Sequence, residues 1–171
     1  DTQSNEAGVK YYLLGVFASG VMLYGMSLLY GVTGTTLLTD LGSAITASGG
    51  FAGVQVVAVV FIIVGFAFKV SAVPFHSWAP DTYQGAPTPV TAFLSVSSKA
   101  GGFVALVTLI YVAFPQADDV YQPFVWVLAA LSMTVGNVLA LRQTNIVRML
   151  AYSSISQGGF ILRPLAVAGT A

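Results

Sequence analysis

The sequence predicts an all-α protein, a polytopic bundle of transmembrane helices, and three observations carry that prediction. Only 7% of its 171 residues are charged and 56% are hydrophobic, whereas soluble domains carry roughly 25% charged residues. A chain with a mean hydropathy of +0.84 cannot cover a water-facing surface. Its apolar runs also have bilayer-crossing length, since about 20 helical residues cover roughly 30 Å of hydrocarbon. Finally, one run breaks off in a stretch dense in Pro and charge, KVSAVPFHSWAPDTYQGAPTPVTAFLSVSSK, from Lys69 to Lys99. Six basic and six acidic residues cancel, which leaves no electrostatic footprint for nucleic acid. With no Cys and one His, a thiolate metal or iron–sulfur site has no ligands. No glycine-rich phosphate-binding pattern supports nucleotide binding.

The first span is residues 11–30, uncharged throughout, with Gly15, Ser19, Gly20 and Gly25 inside it. Small residues let helix backbones approach closely. Ahead of it, DTQSNEAGVK has no signal-peptide pattern, and Glu6 and Lys10 stand four apart, the favourable order for a helical ion pair or an interfacial surface pair. Residues 31–50 read as a Gly/Thr/Ser-rich connection holding one charge, Asp40. The second span, 51–74, is uncharged up to Lys69 and continues past a break at Pro74. A proline lacks the N–H and clashes with the carbonyl four residues back, here Val70. In a membrane such a freed carbonyl must be buried in protein or face water. The third span, 90–114, contains Lys99, and the turn-rich PQADDVYQP follows it. A fourth covers 124–141, then the loop RQTNIVR, and a fifth covers 149–171, interrupted by Arg163–Pro164. The opening without Met and the closing AVAGTA lead us to expect a segment of a longer polytopic protein.

Alternating crossings place Lys10, Arg142 and Arg148 on one side and Asp40, Asp118 and Asp119 on the other. The positive-inside rule then puts the N-terminal end on the cytoplasmic side. Arg142 and Arg148 read as topology anchors, and Asp81 as a residue that caps or orients the turn in WAPDTYQGAPTP.

Lys99 is the sharpest chemical signal. It lies nine residues into its apolar stretch, about 13 Å along a helix. A Lys near a helix centre costs about 2.5–3.5 kcal/mol on insertion scales, so such residues face a wet cavity or a partner; the alternative is a side chain that snorkels to the interface. Ser95, Ser97 and Ser98 make its surroundings polar. Lys69 reads either as an end-of-helix cation, favourable at the C-terminal dipole, or as part of a broken helix of the kind found in ion-coupled transporters. His76 follows Lys69 by seven residues, two turns if the helix were unbroken. It suits a proton relay between lysines or a structural bond to a freed carbonyl.

Three segments are recognisable: FKVSAVPFHSWAPDTYQGAPTPVTAFLSVSSKAGGF, LRQTNIVRMLAYSSISQGGFIL and SNEAGVKYYLLGVFASGVMLYGMSLLYG. Together they resemble the antiporter-like membrane subunits of NADH–quinone oxidoreductase (respiratory complex I), those of the subunit N type, in a wider family with multisubunit cation/proton antiporters. The resemblance implies an inverted-repeat antiporter-like fold with a broken helix in each repeat, of which this chain matches helices six to ten. It implies proton transfer by Lys69, Lys99, His76 and Lys10. The family's fifth-helix glutamate would precede Asp1, and its twelfth-helix lysine would follow Ala171. The resemblance further implies that NADH, FMN, iron–sulfur clusters and quinone belong to partner subunits, with no cofactor in this chain. The expected partners are the other membrane and peripheral subunits of complex I and the lipid bilayer, with no nucleic acid. The expected location is the inner (plasma) membrane of the cell. A subunit of a cation/proton antiporter and a non-conducting structural subunit are the alternatives; the wording YQGAPTPV favours complex I.

Overall fold

The computed structural model describes residues 2–167, and helices account for nearly all of them. In order these are α1 (Thr2–Thr33), α2 (Leu38–Ala47), α3 (Val54–Val70), α4 (Trp78–Gly85), α5 (Thr88–Ala113), α6 (Asp118–Leu141) and α7 (Ile146–Val167). By length and composition, the helical stretches Ser4–Thr33, Thr88–Ala113 and Asp118–Leu141 can each cross a membrane. The shorter α3 is the most apolar and is buried on most of its surface. α1 packs on α3 and α4, and α6 packs along α7. Glycines permit both contacts. A Cβ on Gly25 would stand 2.7 Å from the Ala58 carbonyl, and one on Gly136 2.8 Å from the Ser156 amide nitrogen. The outward faces, with Phe17, Leu23, Tyr24 and Trp126 exposed, are apolar as lipid requires.

The structure differs from the sequence reading at four places. The 31–50 segment is not a plain connection: α2 forms within it and buries Leu41 and Ile45, two apolar residues one helical turn apart. α6 begins before Pro123 rather than after it, with Asp118 and Asp119 in its first turn, where the helix dipole favours negative charge. α7 starts at Ile146 and runs through Arg163–Pro164. Pro164 has no N–H to donate to the Phe160 carbonyl, so the helix passes through it with one ladder bond missing; residues 168–171 of the expected fifth span lie outside the described residues.

The fourth difference concerns the break itself. Pro74 does not clash its way into a helix, because α3 has already stopped at Val70. Ser71 takes the left-handed conformation (φ 60°). The Ser71 amide donates to the Phe68 carbonyl at 3.0 Å, and the Ala72 amide donates to the Ala67 carbonyl at 2.8 Å. That pair of bonds is a Schellman cap, with Ser in the place usually held by Gly. One further backbone group is taken up by a side chain, and the Phe68 carbonyl gains a second donor. The Val73 amide donates to Ser132 Oγ at 2.8 Å, and Trp78 Nε1 donates to the Phe68 carbonyl at 3.0 Å. Protein groups thus satisfy part of the break, while Ser71 Oγ and His76 Nδ1 stay buried without a well-formed hydrogen bond among the described residues.

Candidate functional site: a buried lysine and a charge cluster at one end

Lys99 stands where α5 departs from α-helical geometry. The π-helical turn Leu94–Ser98 directly precedes it, and such turns recur at functional sites. Its side chain is 5% exposed. The ammonium donates to Ser154 Oγ on α7 at 2.7 Å and lies 5.7 Å from the ring centroid of Tyr83 on α4. Three helices therefore build its seat. A hydrogen bond to a charged group contributes about 1.5–3 kcal/mol and a desolvated cation–π contact about 2. Together these are enough to offset the cost of about 2.5–3.5 kcal/mol for placing Lys in a helix centre. Among the described residues no carboxylate pairs with the ammonium, whose hydrogen bond goes to a hydroxyl.

Lys69 is the last but one residue of α3, and the αL cap behind it makes it an end-of-helix cation near the C-terminal carbonyls. Its stem lies over Gly102, where an added Cβ would stand 3.0 Å from Lys69 Cγ. Its head is exposed to an open cleft of about 970 Å³ that Gly15, Ser19, Ser97 and Gly101 also line. His76 does not share a helical face with Lys69, because residues 71–77 between them are not α-helical. Its half-buried ring instead faces Tyr152 of α7, with centroids 6.5 Å apart; the ring interacts with the backbone of Pro74, but buried Nδ1 closes no well-formed hydrogen bond among the described residues. Among the described residues, no hydrogen bond joins any two of Lys69, His76 and Lys99.

At the end of the bundle where α1 begins, charges gather. Lys10 pairs with Glu6 at 2.6 Å and with Asp81 of α4 at 2.9 Å. Asp81 also accepts from Arg148 Nη1 at 2.7 Å, and Arg148 donates to Gln84 at 3.1 Å. The i, i+4 pair is as the spacing suggests, but Asp81 is more than a turn residue and Arg148 more than a topology anchor. Asp81 ties α4, the short helix after the break, to α1 and α7 at once. Its carboxyl lies outside the apolar spans. Partial burial works to raise its pKa, but the hydrogen bonds and charges of Lys10 and Arg148 outweigh this and hold it below the usual carboxylate range. Two residues further along the same helix is Tyr83, so the clamp that seats α4 also sets the ring against Lys99.

Asp81, Arg148, Tyr83 and Ser154 are the members of this arrangement that sequence reasoning did not single out as site residues. One signal was available for the first two: with twelve charges in 171 residues, a charge near a membrane needs a partner. Ser154 carried none, being one of three serines in YSSIS. Among the described residues no group of three or more His, Asp and Glu is placed to hold a metal ion.

Comparison with known proteins gives a consistent result. The family described as NADH:quinone oxidoreductase/Mrp antiporter, TM, matches residues 1–171. A relative from Trichlorobacter lovleyi, named NADH-quinone oxidoreductase subunit N, is 53% identical over 161 residues, which are 94% of this chain and 33% of that protein. Among solved structures, a chain of respiratory complex I from Thermus thermophilus is 40% identical with a TM-score of 0.80, covering 96% of this chain and 35% of that one. A chain of the Mrp complex from a Dietzia species is 28% identical with a TM-score of 0.86, covering 96% and 30%. The chain thus spans about a third of the length of the relatives it matches. It is a membrane protein with the antiporter-like helical architecture, and by its match over residues 1–171 it belongs to the NADH:quinone oxidoreductase/Mrp antiporter transmembrane family.

Proposed function

We propose that this chain is part of a proton-translocating membrane subunit of an NADH–quinone oxidoreductase. The observation that carries the reading is the Lys99 ammonium, 5% exposed and bonded to a hydroxyl rather than a carboxylate. A buried Lys without a fixed counter-charge can give up its proton when a neighbouring charge changes, and take it back when that charge is reset. Protons enter from the side of the Glu6–Lys10–Asp81–Arg148 cluster, the cytoplasmic side by the positive-inside rule. Lys69 and Lys99 then hold them in turn, with His76 and Lys10 assisting. The cleft beside Lys69 is lined by Ser97 and Ser98 but not by Lys99, so a hydrated step between the two lysines is part of the proposal. The hydride and electron chemistry belongs to partner subunits that carry NADH, FMN, iron–sulfur clusters and quinone. This chain, without Cys, has no thiolate to offer a cluster. The 53% identity to a protein named subunit N supports assembly with the other membrane and peripheral subunits of such a complex, in the bacterial inner membrane.

The likeness to an Mrp complex chain favours a second reading, a subunit of a cation/proton antiporter without redox partners. Inverted vesicles separate the two. On the leading reading NADH oxidation drives proton uptake, and Lys69→Ala lowers pumping and oxidation together while the complex stays assembled. On the second, NADH drives nothing through this protein and sodium gradients do. If Lys69→Ala leaves both pumping and oxidation unchanged, the lysine path fails at that residue.

A further inference from the structure

The seat of Lys99 has one hydroxyl in direct reach of the ammonium, Ser154 Oγ at 2.7 Å. An ammonium has three donors and no acceptor, whereas a hydroxyl has one donor and two lone pairs. While Lys99 is charged, Ser154 accepts. Its own hydrogen is then free to turn elsewhere; the Tyr83 hydroxyl interacts with Ser154 without closing a well-formed bond. When the proton leaves Nζ, the neutral amine has a lone pair, and the same hydroxyl can turn and donate to it. A single rotation of the O–H satisfies both states, and no covalent bond of Ser154 breaks. The other neighbour cannot do this: the Tyr83 ring face at 5.7 Å attracts the cation but has no hydrogen to donate to the lone pair of a neutral amine.

Building on the role given above to Lys99, we propose that Ser154 is the positioning residue of that lysine. It holds Nζ at one point on α7 through both protonation states by reversing the direction of its hydrogen bond. Without it, a neutral Lys99 would be free to leave the seat, and a charged one would lose its only direct acceptor among the described residues. The residue fits the part by length. Ser154 sits on α7, so the long side chain of Lys99 spans the gap and the short one of Ser154 receives its end.

The test uses two variants of nearly equal shape in the intact complex. Ser154→Thr keeps the hydroxyl; Ser154→Val replaces it with a methyl. In inverted vesicles, with the amount of assembled complex measured for each, Ser154→Thr should pump within about twofold of the parent. Ser154→Val should lose about tenfold or more, the loss expected for one hydrogen bond to a charged group, and its pH profile of pumping should shift along the pH axis. Should Ser154→Val fail to assemble, the smaller Ser154→Ala is compared with the parent on the same two readouts. Equal pumping and equal pH profiles with and without the hydroxyl would overturn the inference and leave Ser154 a packing residue. Lys99→Gln runs alongside. If it pumps normally, the role of Lys99 itself is wrong; if it does not pump while Ser154→Val does, only the inference about Ser154 falls.

Discussion

Adjacent glycines on α7 should respond differently to the same substitution. Gly158 and Gly159 are both buried, yet they face different neighbours. A Cβ on Gly159 would lie 2.9 Å from the Ala129 carbonyl oxygen, the Met133 amide nitrogen and Met133 Cγ. Two of those three are backbone of α6 and cannot swing aside. Since non-bonded heavy atoms pack best at about 3.5–4.0 Å, Gly159→Ala forces α6 and α7 apart by roughly 0.6–1 Å at that level. Overpacking of this kind costs about 1–3 kcal/mol. A Cβ on Gly158 would instead meet the Val70 carbonyl at 3.5 Å and Phe103 Cζ at 3.6 Å, ordinary contact, so Gly158→Ala should be neutral or slightly stabilising. The assay is heat-induced loss of the assembled complex in detergent, followed by scanning fluorimetry. Gly159→Ala should lower the midpoint by several degrees while Gly158→Ala stays with the parent. Indistinguishable curves for the two would refute the claim that the α6–α7 contact is closed by backbone against backbone.

Three other consequences concern the break and the clamp. Ser132 Oγ accepts from the Val73 amide and donates to the Leu128 carbonyl, so Ser132→Ala strands a buried N–H. It should cost about 1–3 kcal/mol, read as a lower midpoint in the same heat assay. Trp78→Phe keeps an aromatic ring and removes the indole donor to the Phe68 carbonyl; a loss of about 1 kcal/mol is expected, read in the same heat assay. Asp81→Asn weakens the tie of α4 to α1 and α7, at about 1 kcal/mol for the Arg148 pair. Because the folded-state pKa of Asp81 lies below its unfolded value, its contribution is present above the ordinary carboxylate range and disappears as pH falls through the depressed value. The heat-stability gap between parent and Asp81→Asn should therefore be full at neutral pH and close in acid.

Much of the fold was legible because lipid imposes a simple demand: apolar runs long enough to cross must be helices. The existence of a break near Pro74 was legible too, but its mechanism was not. A Schellman cap usually advertises itself by Gly, and here Ser71 adopts the left-handed conformation. α2 was missed because Leu41 and Ile45 are its only large buried residues and the surrounding Gly, Thr and Ser read as connection. At the site, Lys99 stood out as the sole charge in its run, whereas its partner Ser154 lies 55 residues away. Asp81 meets Lys10 across 71 residues and Arg148 across 67. Pairings at such separations are made by helix packing, which local pattern and propensity do not encode.

The central claim is that Lys99 holds a proton in transit, and the most direct test is the number of protons moved per NADH oxidised in inverted vesicles carrying Lys99→Ala. The account predicts that, with the complex fully assembled, pumping falls at least tenfold and that oxidation falls with it or proceeds uncoupled. Unchanged pumping per NADH in a fully assembled Lys99→Ala complex would contradict it.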